Sequence, residues 1–227
     1  MRFIYGLLVV AVFAAAGSCK NKSGSDISEG EIHYSITYNG HTSPVPREIM
    51  PKDLIVTFKE DNMLFEIISP FGNSGIVNLS NPSEEIFDTY ISIFTLKYFY
   101  AAEPGEIHPG FDAMQGMEIR KTDSTREICG YLCKNARVSF PADRSKVYDI
   151  WYTTGIDVEN PNISTPYRDI DGVLMSFVFI IGRSELHFMA ENVYSKTIDD
   201  DRFSRREKFS RISRDDINRF ISRMISL

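Results

Sequence analysis

Cys129 and Cys133, four residues apart, are the first pair of side chains whose types and spacing could support chemistry. In a regular strand such positions lie on one face about 13 Å apart, which is too far for a disulfide. Gly130 between them can bend the chain and shorten that distance. Two buried free thiols and a local disulfide both remain open, whereas a metal or redox role has less support, because the spacing is not Cys-x-x-Cys.

The other reactive side chains form no catalytic or metal-binding pattern. The histidines His33, His41, His108 and His187 lack metal-ligand spacing. Gly72-Asn73-Ser74-Gly75 lacks the spacing of a serine nucleophile elbow, so we interpret it as a hairpin turn. Asp199-Asp200-Asp201 is interpreted as a solvated loop rather than a calcium site. We therefore expect no catalytic residue, no metal and no cofactor, and a protein that is not an enzyme.

The single tryptophan, Trp151, lies near Tyr148 and Tyr152 in a predicted strand. Consecutive strand residues point to opposite faces, so Trp151 faces away from Ile150 and Tyr152. An aromatic cluster of this kind either packs in a core or lines a groove for a lipid or peptide. Trp151, Tyr148 and Tyr152 are therefore the candidate ligand-binding residues.

Strand patterns must position these side chains, because apolar and polar residues alternate from Glu29 onward. The predicted strands span residues 32–38, 54–58, 64–68, 76–79, 86–96, 98–101, 117–121, 132–140, 146–153, 173–181 and 185–194. Residues 103–115 are rich in Pro and Gly and are predicted to form an exposed loop. The sequence thus predicts a mainly β fold with one large, curved antiparallel sheet, whose concave face can form a ligand cavity.

The C-terminus carries the one convincing helical pattern. Asp215 is the predicted N-cap of a helix over Asp215–Leu227, about three turns long. The predicted buried stripe of this helix is Ile217, Phe220, Ile221, Met224 and Ile225. So short a helix is marginal in water on its own. We therefore expect it to cover a sheet edge or the mouth of the concave face, with Arg219 and Arg223 turned outward.

Composition and charge narrow the class of protein. Hydrophobic residues make up 43% and charged residues 25% of 227 residues, which is ordinary for a globular protein. The net charge of −6 argues against a nucleic-acid partner. Residues 202–227 nevertheless carry a net charge of +5, which can pair with the acidic remainder or with anionic lipid. We expect residues 29–227 to form a single β-rich domain.

The N-terminus has the pattern of a targeting segment over residues 1–18. Arg2 precedes an apolar run, Ile4–Ala16, that is too short to span a bilayer. The small residues before Cys19 resemble a bacterial lipobox, which implies cleavage before Cys19 and lipidation of its thiol; ordinary secretory cleavage near Ala16 is the alternative. Residues 19–28 are predicted to form a flexible tether. The expected location is the periplasmic face of the outer membrane, because no acidic run follows Cys19.

Two segments carry a family resemblance. One is Ile128–Val138, followed by Ile150-Trp151-Tyr152-Thr153, and the other is Pro161–Tyr167, followed by Ile170–Phe177. Across most of residues 29–200 the chain resembles the GLPGLI-type proteins, uncharacterised envelope proteins of Gram-negative bacteria. It has Asp171-Gly172-Val173-Leu174 where those proteins have the leucine-proline-glycine string that gives the family its name. The resemblance implies a strongly curved antiparallel half-barrel, similar to periplasmic lipoprotein carriers, without established catalytic residues.

Two functions fit these expectations. In the first, a membrane-anchored lipoprotein binds a hydrophobic or amphipathic ligand, such as a lipid or a lipidated peptide, in its curved sheet. In the second, a structural or interaction lipoprotein of the cell envelope docks a partner protein without a small ligand. An apolar hollow in the concave face would favour the first function, and a filled face would favour the second.

Overall fold

The computed structural model describes residues 27–39, 47–141 and 143–226. The predicted signal peptide, Cys19 and most of the tether lie outside the described residues. Within the described ranges, no helix is both long and apolar enough to cross a membrane.

One twelve-stranded sheet organises the chain, and it is open at both edges rather than closed into a barrel. Its strands are β1 (Glu29–Asn39), β2 (Asp53–Lys59), β3 (Asn62–Ile68), β4 (Ser74–Asn81), β5 (Ile86–Ile93), β6 (Leu96–Ala101), β7 (Glu118–Ile128), β8 (Tyr131–Phe140), β9 (Asp143–Thr153), β10 (Val173–Ile181), β11 (Ser184–Ser195) and β12 (Ser210–Arg211). The spatial order is β12-β6-β5-β4-β3-β2-β1-β11-β10-β9-β8-β7. All pairs are antiparallel except β12 with β6. The predicted mainly β fold with a large antiparallel sheet is therefore confirmed.

The sheet curls strongly at its β7 edge. The Cys129 thiol, in the turn between β7 and β8, donates to the Ala190 carbonyl of β11 at 3.4 Å. Since β9 and β10 lie between β8 and β11 in the strand order, this contact requires that half of the sheet to bend back on itself.

Some predicted element boundaries were wrong. The stretch predicted as one strand, residues 86–96, is broken by a turn at Phe94 and Thr95, where Phe94 adopts a positive φ of 53°. A bulky aromatic rarely adopts this conformation, so the local pattern contains no turn signal there. The strand predicted at residues 117–121 extends to Ile128, because pairing with β8 continues past an irregularity between Lys121 and Thr125.

Strands β3 to β6 are covered on both faces. Their inner face, which includes Phe65 and Ile67, packs against the main core. Their outer face packs beneath residues 196–210, which we call the C-terminal strap, and this second apolar cluster comprises Leu64, Val77, Leu79, Ile86, Tyr90, Ile198 and Phe203. Period-two alternation therefore separates two cores on opposite sides of one sheet.

The inner face is filled over much of its area. The stacked rings of Phe177 and Phe188 lie 4.8 Å apart, and Phe111 packs on Phe179 at 4.6 Å. Phe111 belongs to the segment predicted as an exposed loop, and that prediction is corrected in part: His108, Phe111 and Met114 are buried. The segment folds inward because a large curved sheet with one helix needs a loop to cover its apolar face.

The helix α1 (Arg214–Ser226) forms close to where the sequence predicts it. Its cap is Ser213 rather than Asp215, because the Ser213 hydroxyl accepts a hydrogen bond from the Asp216 amide at 3.2 Å. Ile217 and Ile221 are buried in the main core, and the ring of Phe220 stacks on Tyr98 at 5.2 Å. Arg219 and Arg223 are exposed, as expected.

Candidate functional site

A cavity of about 270 Å³ lies at one end of the sheet, where the β3–β4 and β5–β6 turns meet the C-terminal part of α1. Its wall is mostly aliphatic and includes Ile67, Ile76, Ile93, Leu186 and Met224. Ile67 and Ile76 are direct cross-strand partners, which places both side chains on the inner face. The cavity therefore occupies the part of the inner face that α1 and the buried loops leave uncovered.

Two polar side chains at the cavity wall, Tyr38 and Ser69, already have hydrogen-bond partners within the protein. The Tyr38 hydroxyl donates to the Pro51 carbonyl at 2.8 Å, and burial raises the pKa of Tyr38. The Ser69 hydroxyl donates to the Asn73 side-chain oxygen at 2.9 Å. The described residues that line the cavity include no charged side chain. Such a wall suits an apolar ligand and supplies no acid, base or nucleophile.

Exposed apolar side chains surround the cavity, and we call Ile49, Ile68, Phe71, Phe94 and Leu96 the apolar rim. Phe71 and Phe94 are 72% and 74% exposed, which is unusual for phenylalanine. Their turns are neighbours, because the Phe94 amide donates to the Asn73 carbonyl at 2.6 Å. Ile49 and Phe94 also line the cavity itself, so rim and cavity form one continuous apolar surface.

The three ligand-binding candidates predicted from the sequence do not line this cavity. Trp151 is half-buried beneath the guanidinium of Arg126, at 4.4 Å from its ring centre. Tyr152 is buried in the core, and the ring of Tyr148 contacts Phe140 and His187. All three lie on β9, in the other half of the sheet, because strand alternation assigns a face but not the place where that face remains unfilled.

Cys129 and Cys133 are free thiols in the structure. The premise of a regular strand does not hold, because Cys129 and Gly130 form the β7–β8 turn with φ values of 52° and 81°. The Cys133 thiol donates to the Tyr131 carbonyl at 3.4 Å rather than bonding to Cys129. Burial raises the pKa of Cys129, and it raises the pKa of Cys133 to about 11. Both thiols therefore remain protonated and weakly nucleophilic.

His108 occupies a buried polar cluster that sequence reasoning missed. Its ring nitrogens lie 3.2 Å from the Ser80 hydroxyl and 3.1 Å from the Thr89 hydroxyl. Burial, followed by the nearby charge of Arg214, lowers the pKa of His108 to about 3. All three side chains are buried, so this serine–histidine pair packs the core instead of facing a substrate.

The acidic run Asp199-Asp200-Asp201 makes an ion pair with the sheet. Asp200 pairs with Lys59 at 2.5 Å, so the acidic run at 199–201 joins the strap to β2. No group of three His, Cys, Asp or Glu side chains suited to a metal ion occurs in the part of the chain that the structure describes.

The basic C-terminal region pairs with the acidic body of the protein. Arg202 and Arg206 bind Glu66 at 2.8 and 2.7 Å, and Arg214 binds Glu106 at 2.5 Å. The two expectations for this region were pairing within the protein and binding to anionic lipid. For these three arginines the structure shows pairing within the protein.

Comparisons with known proteins give a fold likeness only. No family model and no curated protein matches the chain. Among solved structures, it is similar to PNGF-II in a C2 crystal form, with a TM-score of 0.52, 17% identity and coverage of 85% of this chain and 32% of that chain. A P21 form of PNGF-II gives a TM-score of 0.52, 18% identity and coverage of 86% and 34%. The chain thus spans about a third of that protein.

Proposed function

We propose that this protein is a non-catalytic lipoprotein of the cell envelope that binds a hydrophobic or amphipathic ligand in its curved sheet. The observation that carries the proposal is the apolar cavity at the end of the sheet, with its uncharged wall and the hydrogen-bonded hydroxyls of Tyr38 and Ser69. Burying an apolar chain there removes its surface from water without breaking a protein hydrogen bond.

The size of the cavity defines the ligand class. Its volume of about 270 Å³ lies just below the ~300–1,000 Å³ typical of small-molecule sites. A single alkyl chain or one apolar side chain fits such a space, whereas a whole multi-chain lipid does not. The polar part of an amphipathic ligand would remain outside the cavity, at the rim.

Membrane anchoring through Cys19 is part of the proposal. Ile27, the first described residue, is buried two residues before β1 begins, and the cavity residue Tyr38 lies near the other end of β1. A tether attached at Ile27 would leave the cavity mouth unobstructed. The substitution Cys19→Ala should move the protein from the membrane fraction to the soluble periplasm, and unchanged fractionation would rule out lipidation as the anchor.

A structural or interaction lipoprotein that docks a partner protein is the second candidate function. The observation in its favour is the filled centre of the inner face, where Phe111, Phe177, Phe179 and Phe188 pack together. In this alternative the small remaining cavity would have no ligand.

Native mass spectrometry of the protein purified from its own membranes separates the two functions. Ligand binding predicts an added mass that Ile67→Phe removes, because the larger side chain fills the cavity. Ile119→Phe, at a half-buried position on β7, is the matched control and should keep the added mass. An absence of added mass in the wild-type protein would contradict ligand binding and support the second function.

A further inference from the structure

We propose that the apolar rim docks onto the surface of an anionic lipid bilayer, with Phe71 and Phe94 inserted among the lipids. Docking through the apolar rim does not require a ligand in the cavity. It therefore adds to the proposed function a second membrane contact, at the end of β1 opposite to the N-terminal anchor.

The exposed phenylalanines of the described chain occur at this end of the sheet. Phe71 and Phe94 lie at the tips of adjacent turns, 72% and 74% exposed, and Ile49, Ile68 and Leu96 add to the same surface. A contiguous exposed apolar patch on a folded protein marks a protein or membrane interaction site. The rim is such a patch rather than a set of scattered side chains.

The shape of the rim favours lipid over a protein partner. Its two phenylalanines lie on separate hairpin turns, β3–β4 and β5–β6, that end the sheet. A protein interface requires complementary packing around each such ring. The boundary between headgroups and acyl chains accepts projecting aromatic and aliphatic side chains without a matching surface.

The charge on the segments that end beside the rim suits anionic headgroups. Four exposed basic side chains lie on these segments: Lys52 before β2, Lys97 at the start of β6, Arg183 in the β10–β11 turn and Arg223 near the end of α1. Two exposed acidic side chains, Glu48 and Asp53, lie in the same region. These six side chains sum to a charge of +2 on a chain whose net charge is −6, and basic residues beside an apolar surface are attracted to anionic lipids.

Tryptophan scanning of the full chain tests the contact. Phe94→Trp reports on the rim, and Leu132→Trp is the matched control, because Leu132 is 68% exposed and lies near the β7–β8 turn at the other end of the sheet. Trp151 contributes the same background to both variants. The vesicles contain phosphatidylethanolamine and phosphatidylglycerol, with a nitroxide quencher on the acyl chains.

The expected result is loss of emission from Phe94→Trp and no added loss from Leu132→Trp, with weaker quenching on phosphatidylcholine vesicles. Phe71→Trp gives a second reporter if Phe94→Trp does not fold. Equal quenching at both ends, or none at the rim, would overturn the proposal. Concentration-dependent dimers that Phe71→Ser dissolves, without lipid quenching, would instead assign the rim to a second copy. Ile67→Phe should leave quenching intact, so failure of ligand binding is distinguishable from failure of docking.

Discussion

The guanidinium of Arg205 binds both carboxylate oxygens of Asp88, at 2.8 and 3.0 Å, and the Asp88 side chain is fully buried. The Tyr90 hydroxyl donates to the same carboxylate at 2.6 Å. Arg205 belongs to the C-terminal strap and Asp88 to β5, so this pair joins the strap to the outer face of the sheet.

Replacing Arg205 by alanine should destabilise the fold, because Asp88 would remain as a buried charge without its partner. Breaking a buried pair costs about 3–5 kcal/mol, and we expect the lower end, because Arg205 is itself half-exposed. Urea unfolding measures the decrease in the free energy of unfolding. Arg219→Ala, which removes an exposed partner of Asp216, is the control and should cost ~1 kcal/mol or less. Equal losses in the two variants would contradict a dominant role for the buried pair.

Burial of His108 should make stability depend on pH. The pKa of this imidazole is lowered from its ordinary 6.5 to about 3, so the folded protein keeps it neutral while the unfolded chain takes up a proton. Stability is therefore fully present above pH 6.5 and falls as the pH decreases from 6.5 toward 3. The contribution of His108 has a slope of about 1.4 kcal/mol per pH unit.

Thermal unfolding across that pH range, compared between the wild type and His108→Gln, isolates this contribution. The glutamine variant should show a shallower decline on acidification. Ser80→Ala removes one hydrogen-bond partner but keeps the imidazole, so it should lower stability while retaining the steeper decline. Identical pH profiles for the wild type and His108→Gln would contradict the prediction.

The stacking of Arg126 on Trp151 should be measurable as a coupling. Because Trp151 is half-buried, Trp151→Ala should cost about 2 kcal/mol, less than the ~3–5 kcal/mol of a fully buried large aromatic. A double-mutant cycle with Arg126→Ala should give a coupling of about 1 kcal/mol by urea unfolding. A cycle without coupling would show that the ring contributes through packing alone.

Deleting residues 214–227 should expose the part of the core that α1 covers. Ile217 and Ile221 are buried in the main core, so binding of a hydrophobic dye should rise and the melting temperature should fall. Ile221→Ala should cost ~2–5 kcal/mol, whereas Arg223→Ala, at an exposed position, should change little. An unchanged melting temperature in the truncated protein would show that the helix is not part of the core.

The local pattern of the chain was sufficient to predict the helix and most of the strands, although not β12. Period-two alternation around Ile32–Tyr38 and three-to-four spacing around Ile217 and Ile221 depend on neighbouring residues alone, so they predicted β1 and α1. Where the local sequence has no turn-forming residue, the predictions were wrong. Phe94 forms a turn without a neighbouring Gly, Pro or Asn. The resemblance to GLPGLI-type proteins and the lipid anchor at Cys19 stay predictions.

Only the tertiary structure decided where the candidate site lies. Alternation shows that Ile67 and Ile76 share one face, but not that α1 ends before covering them. The same limit applies to His108, a loop residue whose partners Ser80 and Thr89 come from β4 and β5. Which part of a large sheet stays open depends on how distant segments fold back over it, and such long-range contacts have no signature in neighbouring residues.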